Sequence, residues 1–87
     1  MKYIIPKSIL TTTDKGEYIL LNTKNGKFFG LDVMGTYVWD LIKRGDSKKA
    51  IIDNIVQTYN VSREVAEKDI RELLIELSKH ELVIVDE

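Results

Sequence analysis

Residues 27–42 read KFFGLDVMGTYVWDLI, and the pattern of apolar residues changes within this stretch. Before residue 32, β-branched and aromatic residues alternate with polar residues and with turn-forming sequences. After residue 32, apolar residues recur every three or four positions, which is the spacing of one face of a helix. The sequence therefore predicts strands in the first third of the chain and helices in most of the rest.

Three short strands are predicted, at residues 8–13, 17–23 and 27–31. The sequences DKG at 14–16 and NG at 25–26 separate them, and both favour tight turns between antiparallel strands. Gly30 lies inside the third strand and has no side chain to pack, which predicts a bulge or the close approach of another backbone.

Phe28 and Phe29 are neighbours in the third strand, so their side chains point to opposite faces of the sheet. We expect Phe29 to share the core face with Leu31. Phe28 then packs under another part of the chain or is left for a partner. If the third strand is an edge, its unpaired backbone groups are a template for an added strand.

Three helices follow, with predicted N-caps at Asp32, at Asp46 or Ser47, and at Ser62. Gly45 ends the first of them, and a final apolar run at residues 82–85 is too short for a helix. We expect this run to form the arm of a β-hairpin or a packed tail. The prediction is a single winged-helix-like α+β domain over residues 1–87. It has a three-stranded antiparallel N-terminal sheet, a three-helix bundle and a short β tail.

The composition is that of an ordinary small globular domain of 87 residues, with 44% hydrophobic and 31% charged residues. Thirteen basic and fourteen acidic residues give a net charge of −1, so no overall field attracts nucleic acid or anionic lipid. The absence of cysteine excludes disulfides and thiolate metal sites. No apolar run is long enough to span a membrane or to form a signal peptide, and we expect a cytoplasmic protein without a membrane partner.

The residues available for catalysis are few. His80 is the one histidine, and we expect it to face solvent near the end of the third helix. Asp69, Glu72 and Glu76 share one side of that helix, where a solvated face is the simpler explanation than a cation site. No glycine-rich phosphate loop is present. We therefore predict no enzyme activity, no cofactor and no metal.

A winged-helix arrangement raises the possibility of DNA binding, which the charge of the third helix opposes. Residues 62–81 contain four basic and six acidic side chains, a balance of −2. A helix that enters a groove lined by phosphates needs Lys and Arg to replace the counterions. A winged-helix DNA-binding protein stays as the alternative from a different class, without nucleic acid as an expected partner.

Ile75 falls about 160° from the centre of the buried stripe of the third helix. It is either a single exposed apolar residue, which is common, or part of a groove wall with Arg71 and Leu74. The third strand would be the other wall, and an extended peptide could add to its edge. A helical wheel does not fix which flank of the helix faces the sheet.

Residues 26–42 resemble the G-x-[YF]-[YF]-x-L-[DN]-x-x-G-x-x-[IV]-W-x-L-[LI] segment of PqqD-like proteins. Further along, Ile51, Ile55 and the sequence YNV at 59–61 are similar to the family pattern, as is DIRELLIEL at 69–77. The resemblance covers residues 17–85. The version with Gly35, Trp39 and the YNV turn is most similar to the stand-alone leader-binding protein of lasso-peptide biosynthesis.

This resemblance implies a RiPP recognition element, a winged-helix-like domain without catalytic activity. Such a domain holds the leader of a ribosomally made precursor peptide as an extra strand, in the cleft between the third strand and the third helix. It presents the core peptide to a leader peptidase and to an ATP-dependent cyclase. A PqqD-type chaperone for a radical-SAM enzyme is the alternative within the family, and the protein is expected to be a monomer or a weak edge-strand dimer.

The residues that the resemblance assigns to the peptide site lie on the strand and on both flanks of the helix. They are Lys27, Phe28, Phe29, Gly30 and Leu31 on the strand, Arg71, Leu74, Ile75 and Ser78 on one flank, and Asp69, Glu72 and Glu76 on the other. For Gly35 and Trp39 we prefer structural roles: a close approach of helix and sheet, and packing of the first helix onto the other two. In one departure from the family, Glu81 stands where a glycine usually precedes the final apolar pair.

Overall fold

Residues 2–86, which the computed structural model describes, contain three α-helices and five β-strands. The strands form two antiparallel sheets, one of three strands in the order β2-β3-β4 and one in which β1 pairs with β5. The elements are β1 (Lys2–Ile4), β2 (Ile9–Asp14), β3 (Glu17–Asn22), β4 (Lys27–Gly30), α1 (Val33–Arg44), α2 (Lys48–Tyr59), α3 (Arg63–Lys79) and β5 (Ile84–Asp86). The predicted α+β fold with three helices and an antiparallel N-terminal sheet is confirmed.

The three-stranded sheet follows the predicted meander. Lys15 and Gly16 adopt positive φ angles of 54° and 84° in the first turn, and Gly26 has a φ of 73° in the second. Because β3 pairs with strands on both sides, β2 and β4 are the edges of this sheet.

The caps of the three helices agree with the sequence. The Asp32 carboxylate accepts a hydrogen bond from the Gly35 N–H at 2.8 Å. The hydroxyls of Ser47 and Ser62 accept from the third residue of α2 and of α3, each at 3.2 Å. Of the two alternatives for α2, Ser47 is therefore the cap. Each side chain satisfies a backbone donor that has no partner inside its helix.

The core lies between the three-stranded sheet and the three helices. Leu20 from β3, Trp39 from α1, Ile55 from α2 and Ile70 from α3 are fully buried. The predicted burial of Trp39 in the core is confirmed. Its indole N–H has no hydrogen-bond partner within residues 2–86.

Gly35 also has the predicted structural role. A Cβ atom at this position would lie 3.2 Å from atoms of Asp32 and Leu31. The missing side chain therefore lets the first turn of α1 approach the segment that leaves the sheet.

The β1–β5 sheet is the part of the fold that the sequence did not predict. Tyr3 pairs with Val85 in a ladder of three residue pairs that joins the two ends of the described chain. The predicted tail is confirmed in part: Leu82 and Val83 are buried, and the strand itself begins at Ile84.

Glu81, which stands where the family usually has glycine, lies in the turn at the C-terminus of α3. The Glu81 N–H donates to the Ser78 carbonyl at 3.0 Å, and the Leu82 N–H donates to the Leu77 carbonyl at 2.9 Å. This is the Schellman pattern, in which the residue after the cap adopts a left-handed conformation and is usually glycine. Glu81 adopts that conformation, with a φ of 59°. The turn is therefore kept with a residue that is less suited to it.

Candidate functional site

The outer edge of β4 carries backbone groups that pair with no other strand among the described residues. The Leu31 N–H donates to the Tyr18 carbonyl at 2.8 Å, so the backbone of Leu31 faces β3. Backbone groups face the neighbouring strand at every second residue of an antiparallel ladder, so Phe29, opposite Leu20, also faces β3. Phe28 and Gly30 therefore direct their N–H and C=O groups away from β3, to the open edge.

The two phenylalanines lie on opposite faces, as predicted. Phe29 is half-buried and packs against the core, whereas the Phe28 side chain is 69% exposed. Leu31 follows the end of β4 and is buried in the core. A large apolar side chain therefore lies in solvent next to the open edge.

The prediction of a bulge or a close contact at Gly30 is wrong. The register of β4 runs without interruption from Lys27 to Gly30, and a Cβ atom at Gly30 would meet nothing within 4 Å. The alternation of residue types along a strand does not indicate whether the space beside Gly30 is filled or empty. No contact inside the described chain requires glycine here, and the position leaves room at the open edge.

The end of α3 lies beside β4. The ring of His80, the C-cap residue of α3, has its centroid 5.2 Å from that of Phe29. His80 Nε2 also lies 3.5 Å from a carboxylate oxygen of Glu76, one helical turn earlier. Since residues four apart share a helix face, Glu72 belongs to the same flank.

A cleft of about 330 Å³ lies between β4 and the end of α3. We call it the β4–α3 cleft. It is lined by Asn22, Asn25, Lys27, Phe28, Phe29, Lys79, His80, Glu81 and Leu82. The cleft therefore combines apolar side chains with polar groups of both charges, and it borders the open strand edge.

Two asparagines hold the loop at one end of this cleft. The Asn22 side chain accepts a hydrogen bond from the Lys24 N–H at 3.0 Å, and Asn25 accepts from the Lys27 N–H at 2.9 Å. The Asn22 side chain is also buried. These local bonds stabilise the turn that leads into β4.

The other flank of α3 borders a separate depression of about 440 Å³. We call it the α3 hollow. It is lined by Tyr3, Lys48, Arg71, Leu74, Ile75, Ser78, Lys79 and Val85. The structure thus brings the strand residues together with the flank of Glu76 and His80. It places the predicted residues Arg71, Leu74, Ile75 and Ser78 at the α3 hollow instead.

Sequence reasoning missed His80 and the asparagines as cleft residues. His80 is exposed near the helix end, as predicted, but it contacts the strand as well as solvent. Its spacing of four from Glu76 was the available signal. Asp69, Glu72, Glu76 and His80 are spaced three or four residues apart, so they share one side of α3. This spacing predicts that His80 lies with the three carboxylates.

The pKa shifts of the carboxyl groups come from surface hydrogen bonds outside the cleft, whereas burial raises the pKa of the Tyr3 hydroxyl. The Arg63 and Lys49 side chains lower the pKa of Asp53, and Arg44 lowers the pKa of Asp46. Catalytic sites typically gather groups with shifted pKa values in a cleft, and these carboxylates instead belong to structural ion pairs.

The described residues also bear on metal and membrane binding. Within residues 2–86 no cluster of three or more His, Asp or Glu side chains could hold a metal ion. No helix in that range has the length and apolar character needed to cross a membrane.

Comparison with known proteins identifies the family. The model of the family described as coenzyme PQQ synthesis protein D (PqqD) matches residues 17–83. The chain belongs to the PqqD family. None of the curated proteins that were compared matches it.

Two solved structures share this PqqD fold over nearly their whole length. TbiB1, in complex with the TbiA(beta) leader peptide, is 33% identical, with a TM-score of 0.87 over 99% of this chain and 100% of that chain. A lasso peptide synthetase B1 complexed with the leader peptide is 19% identical, with a TM-score of 0.89 over 98% of this chain and 100% of that one. TbiB1 is therefore similar to this chain in both sequence and fold, whereas the lasso peptide synthetase B1 is similar in fold.

Proposed function

We propose that this PqqD-family protein binds the leader segment of a ribosomally made precursor peptide without catalysing a reaction. The leader adds as a strand to the outer edge of β4 and lies in the β4–α3 cleft. The observation that carries this proposal is the pair of outward-facing residues, Phe28 and Gly30, on an edge strand that no described strand covers.

The chemistry of strand addition fits these residues. The backbone groups of Phe28 and Gly30 supply main-chain hydrogen bonds, which do not depend on the ligand sequence. Apolar side chains of the leader gain contact area on Phe28 and Phe29, since Phe28 is otherwise left in water. A disordered leader suits such a site because its own backbone groups are free to pair.

The relationship to TbiB1 supports the same ligand class. That protein is 33% identical and was solved with a leader peptide. The peptide site that we propose consists of Lys27, Phe28, Phe29 and Gly30 on the strand and of Asp69, Glu72, Glu76 and His80 on the facing flank of α3.

We further propose that the bound leader presents the core peptide to a leader peptidase and to an ATP-dependent cyclase of a lasso pathway. The motif with Gly35, Trp39 and the YNV turn supports this pathway. A PqqD-type chaperone for a radical-SAM enzyme is the second candidate. Identifying which enzymes are encoded beside this protein separates the two.

The direct test is a titration of the protein with the leader of the precursor that is encoded beside it. We expect saturable binding at concentrations on the order of tens of micromolar or below. Phe28→Ala weakens it, because the exposed ring is lost from the cleft. Leu10→Ala is the matched control, since Leu10 is 53% exposed on the opposite edge strand β2. An absence of saturable binding, or equal effects of both variants, contradicts the proposal.

Salt dependence separates peptide binding from the DNA-binding alternative. Main-chain pairing and apolar contacts depend weakly on ionic strength, whereas contacts to phosphates weaken steeply as salt rises. A helix that binds DNA needs an excess of basic residues, and α3 carries more acidic than basic residues. We therefore propose that any winged-helix-like arrangement here serves peptide binding. Tight DNA binding that is lost with added salt would favour the alternative.

A further inference from the structure

We propose that the α3 hollow is a docking surface for a protein partner that presents an apolar side chain flanked by carboxylates. Apart from Lys79 at the end of the helix, which lines both sites, the α3 residues of the hollow lie on the flank that does not line the β4–α3 cleft. The hollow is therefore available while a leader occupies the cleft. The inference rests on the proposed function only for the choice of partner tested below.

The floor of the hollow is apolar. Ile75 on α3 is 59% exposed and Val85 on β5 is 41% exposed, and both line the same depression. Leu74 is buried beneath them. Val85 faces α3 together with its cross-strand partner Tyr3, so two elements from opposite ends of the chain form one surface. A partner side chain seated here would remove both exposed aliphatic groups from water.

The rim of the hollow is cationic. Lys48, Arg71 and Lys79 line it, and none of the residues that line it is acidic. Within residues 2–86, these three cations take part in no ion pair. A local excess of three positive charges in a chain of net charge −1 selects an anionic partner by complementarity.

The charge also argues against a second copy of this chain as the occupant. A two-fold contact places the same patch on both partners. It would bring the Lys48, Arg71 and Lys79 groups of two molecules together, and like charges facing each other oppose association. A partner enzyme of the same pathway with an acidic, apolar surface segment satisfies both the floor and the rim.

The experiment measures capture of the purified leader peptidase of the pathway by the immobilised protein, with the leader bound at saturation. We expect Ile75→Asp and Arg71→Glu each to weaken capture by about tenfold or more. We also expect capture by the wild-type protein to weaken with added salt, since the rim charges are exposed. Neither variant changes leader affinity by more than about twofold, because leader binding uses the other flank of α3.

The chain offers matched controls away from the hollow. Val33→Asp places the same charge at an exposed apolar position on α1, and Lys15→Glu reverses an exposed cation in the turn between β2 and β3. Both should leave capture unchanged. Equal losses in the test and control variants, or no loss in the test variants, overturn the proposal.

Two further results would also overturn it. In one, the wild-type protein binds the leader but does not capture the peptidase. This result contradicts the docking surface and leaves the proposed leader site intact. The other is a dimer of the wild-type protein in sedimentation that Ile75→Asp abolishes, which assigns the hollow to a second copy. Failure of leader binding itself would instead contradict the proposed function.

Discussion

The imidazole ring of His80 lies against the ring of Phe29, with centroids 5.2 Å apart and planes inclined by 47°. This contact joins the end of α3 to the edge strand β4, two elements that are otherwise separated by the β4–α3 cleft. The Nε2 atom of His80 also lies 3.5 Å from a carboxylate oxygen of Glu76. The aromatic pair therefore bridges the cleft at this end.

Removing this pair is expected to weaken leader binding. Aromatic pairs contribute about 0.5–1.5 kcal/mol beyond their buried area, so His80→Ala should reduce leader affinity roughly two- to tenfold. His80→Phe keeps the ring contact and should retain most of the affinity. Titration of both variants with the leader provides the comparison. A loss of the same size in the two variants would assign the effect to the imidazole nitrogens.

The open edge of β4 can be blocked with proline. Gly30→Pro removes an N–H that does not pair with β3, so folding should be spared, as is usual for proline on an edge strand. The leader loses a main-chain bond of about 0.5–1.5 kcal/mol, and its affinity falls roughly two- to tenfold.

Thr11→Pro is the matched control for this change. The Thr23 N–H donates to the Ser8 carbonyl, so alternation directs the Thr11 N–H to the open edge of β2, far from the cleft. Its leader affinity should equal that of the wild-type protein. If Thr11→Pro weakens binding as much as Gly30→Pro does, the leader is not bound at β4.

Glu81→Gly is expected to stabilise the protein. Glu81 holds a φ of 59°, a left-handed conformation that costs a residue with a Cβ atom roughly 1 kcal/mol relative to glycine. The Schellman bonds remain, because they use backbone atoms. The free energy of unfolding in urea should rise by about 0.5–1 kcal/mol. Lys79→Gly, inside the last turn of the same helix, should lower it.

Acid should remove the stabilisation that Asp53 provides. Its pKa is lowered in the folded state, first by the Arg63 hydrogen bond and then by Lys49. A lowered folded pKa adds stability above the unfolded value, near pH 4, and this is lost as the pH falls through the folded value. Wild-type protein should therefore be more stable than Asp53→Asn at pH 6, and the difference should vanish in acid.

Asp69→Asn is the control for the acid experiment. Asp69 is exposed on α3 and forms no ion pair within the described part of the chain. Its unfolding curves at pH 6 and in acid should differ little from those of the wild-type protein. A pH-independent difference between wild type and Asp53→Asn would show that the Asp53 carboxylate acts through its shape and not through its charge.

Local signals explain which parts of the fold could be predicted. The caps at Asp32 and Ser62, and the turn at Lys15 and Gly16, depend on residues a few positions apart, so the sequence determines them directly. The pairing of β1 with β5 joins opposite ends of the described chain. Each strand has three residues, which are too few for an alternation of apolar and polar residues to predict the pairing.

The candidate site shows the same division. Adjacent phenylalanines predict one exposed and one packed ring, and Phe28 and Phe29 follow this rule. The rotation of α3 against the sheet is a tertiary property, which a helical wheel does not contain. The contact between His80 and Phe29 selects one flank for the cleft and leaves Ile75 on the other.

Amide exchange of the edge strand tests strand addition most directly. In the free protein the Phe28 and Gly30 N–H groups face the open edge of β4. We predict that saturating leader slows hydrogen–deuterium exchange at both amides, measured residue by residue by NMR, while exchange at Thr11 and Thr13 on β2 stays unchanged. Unchanged exchange at Phe28 and Gly30 in the bound protein, or slowing confined to β2, would contradict the account.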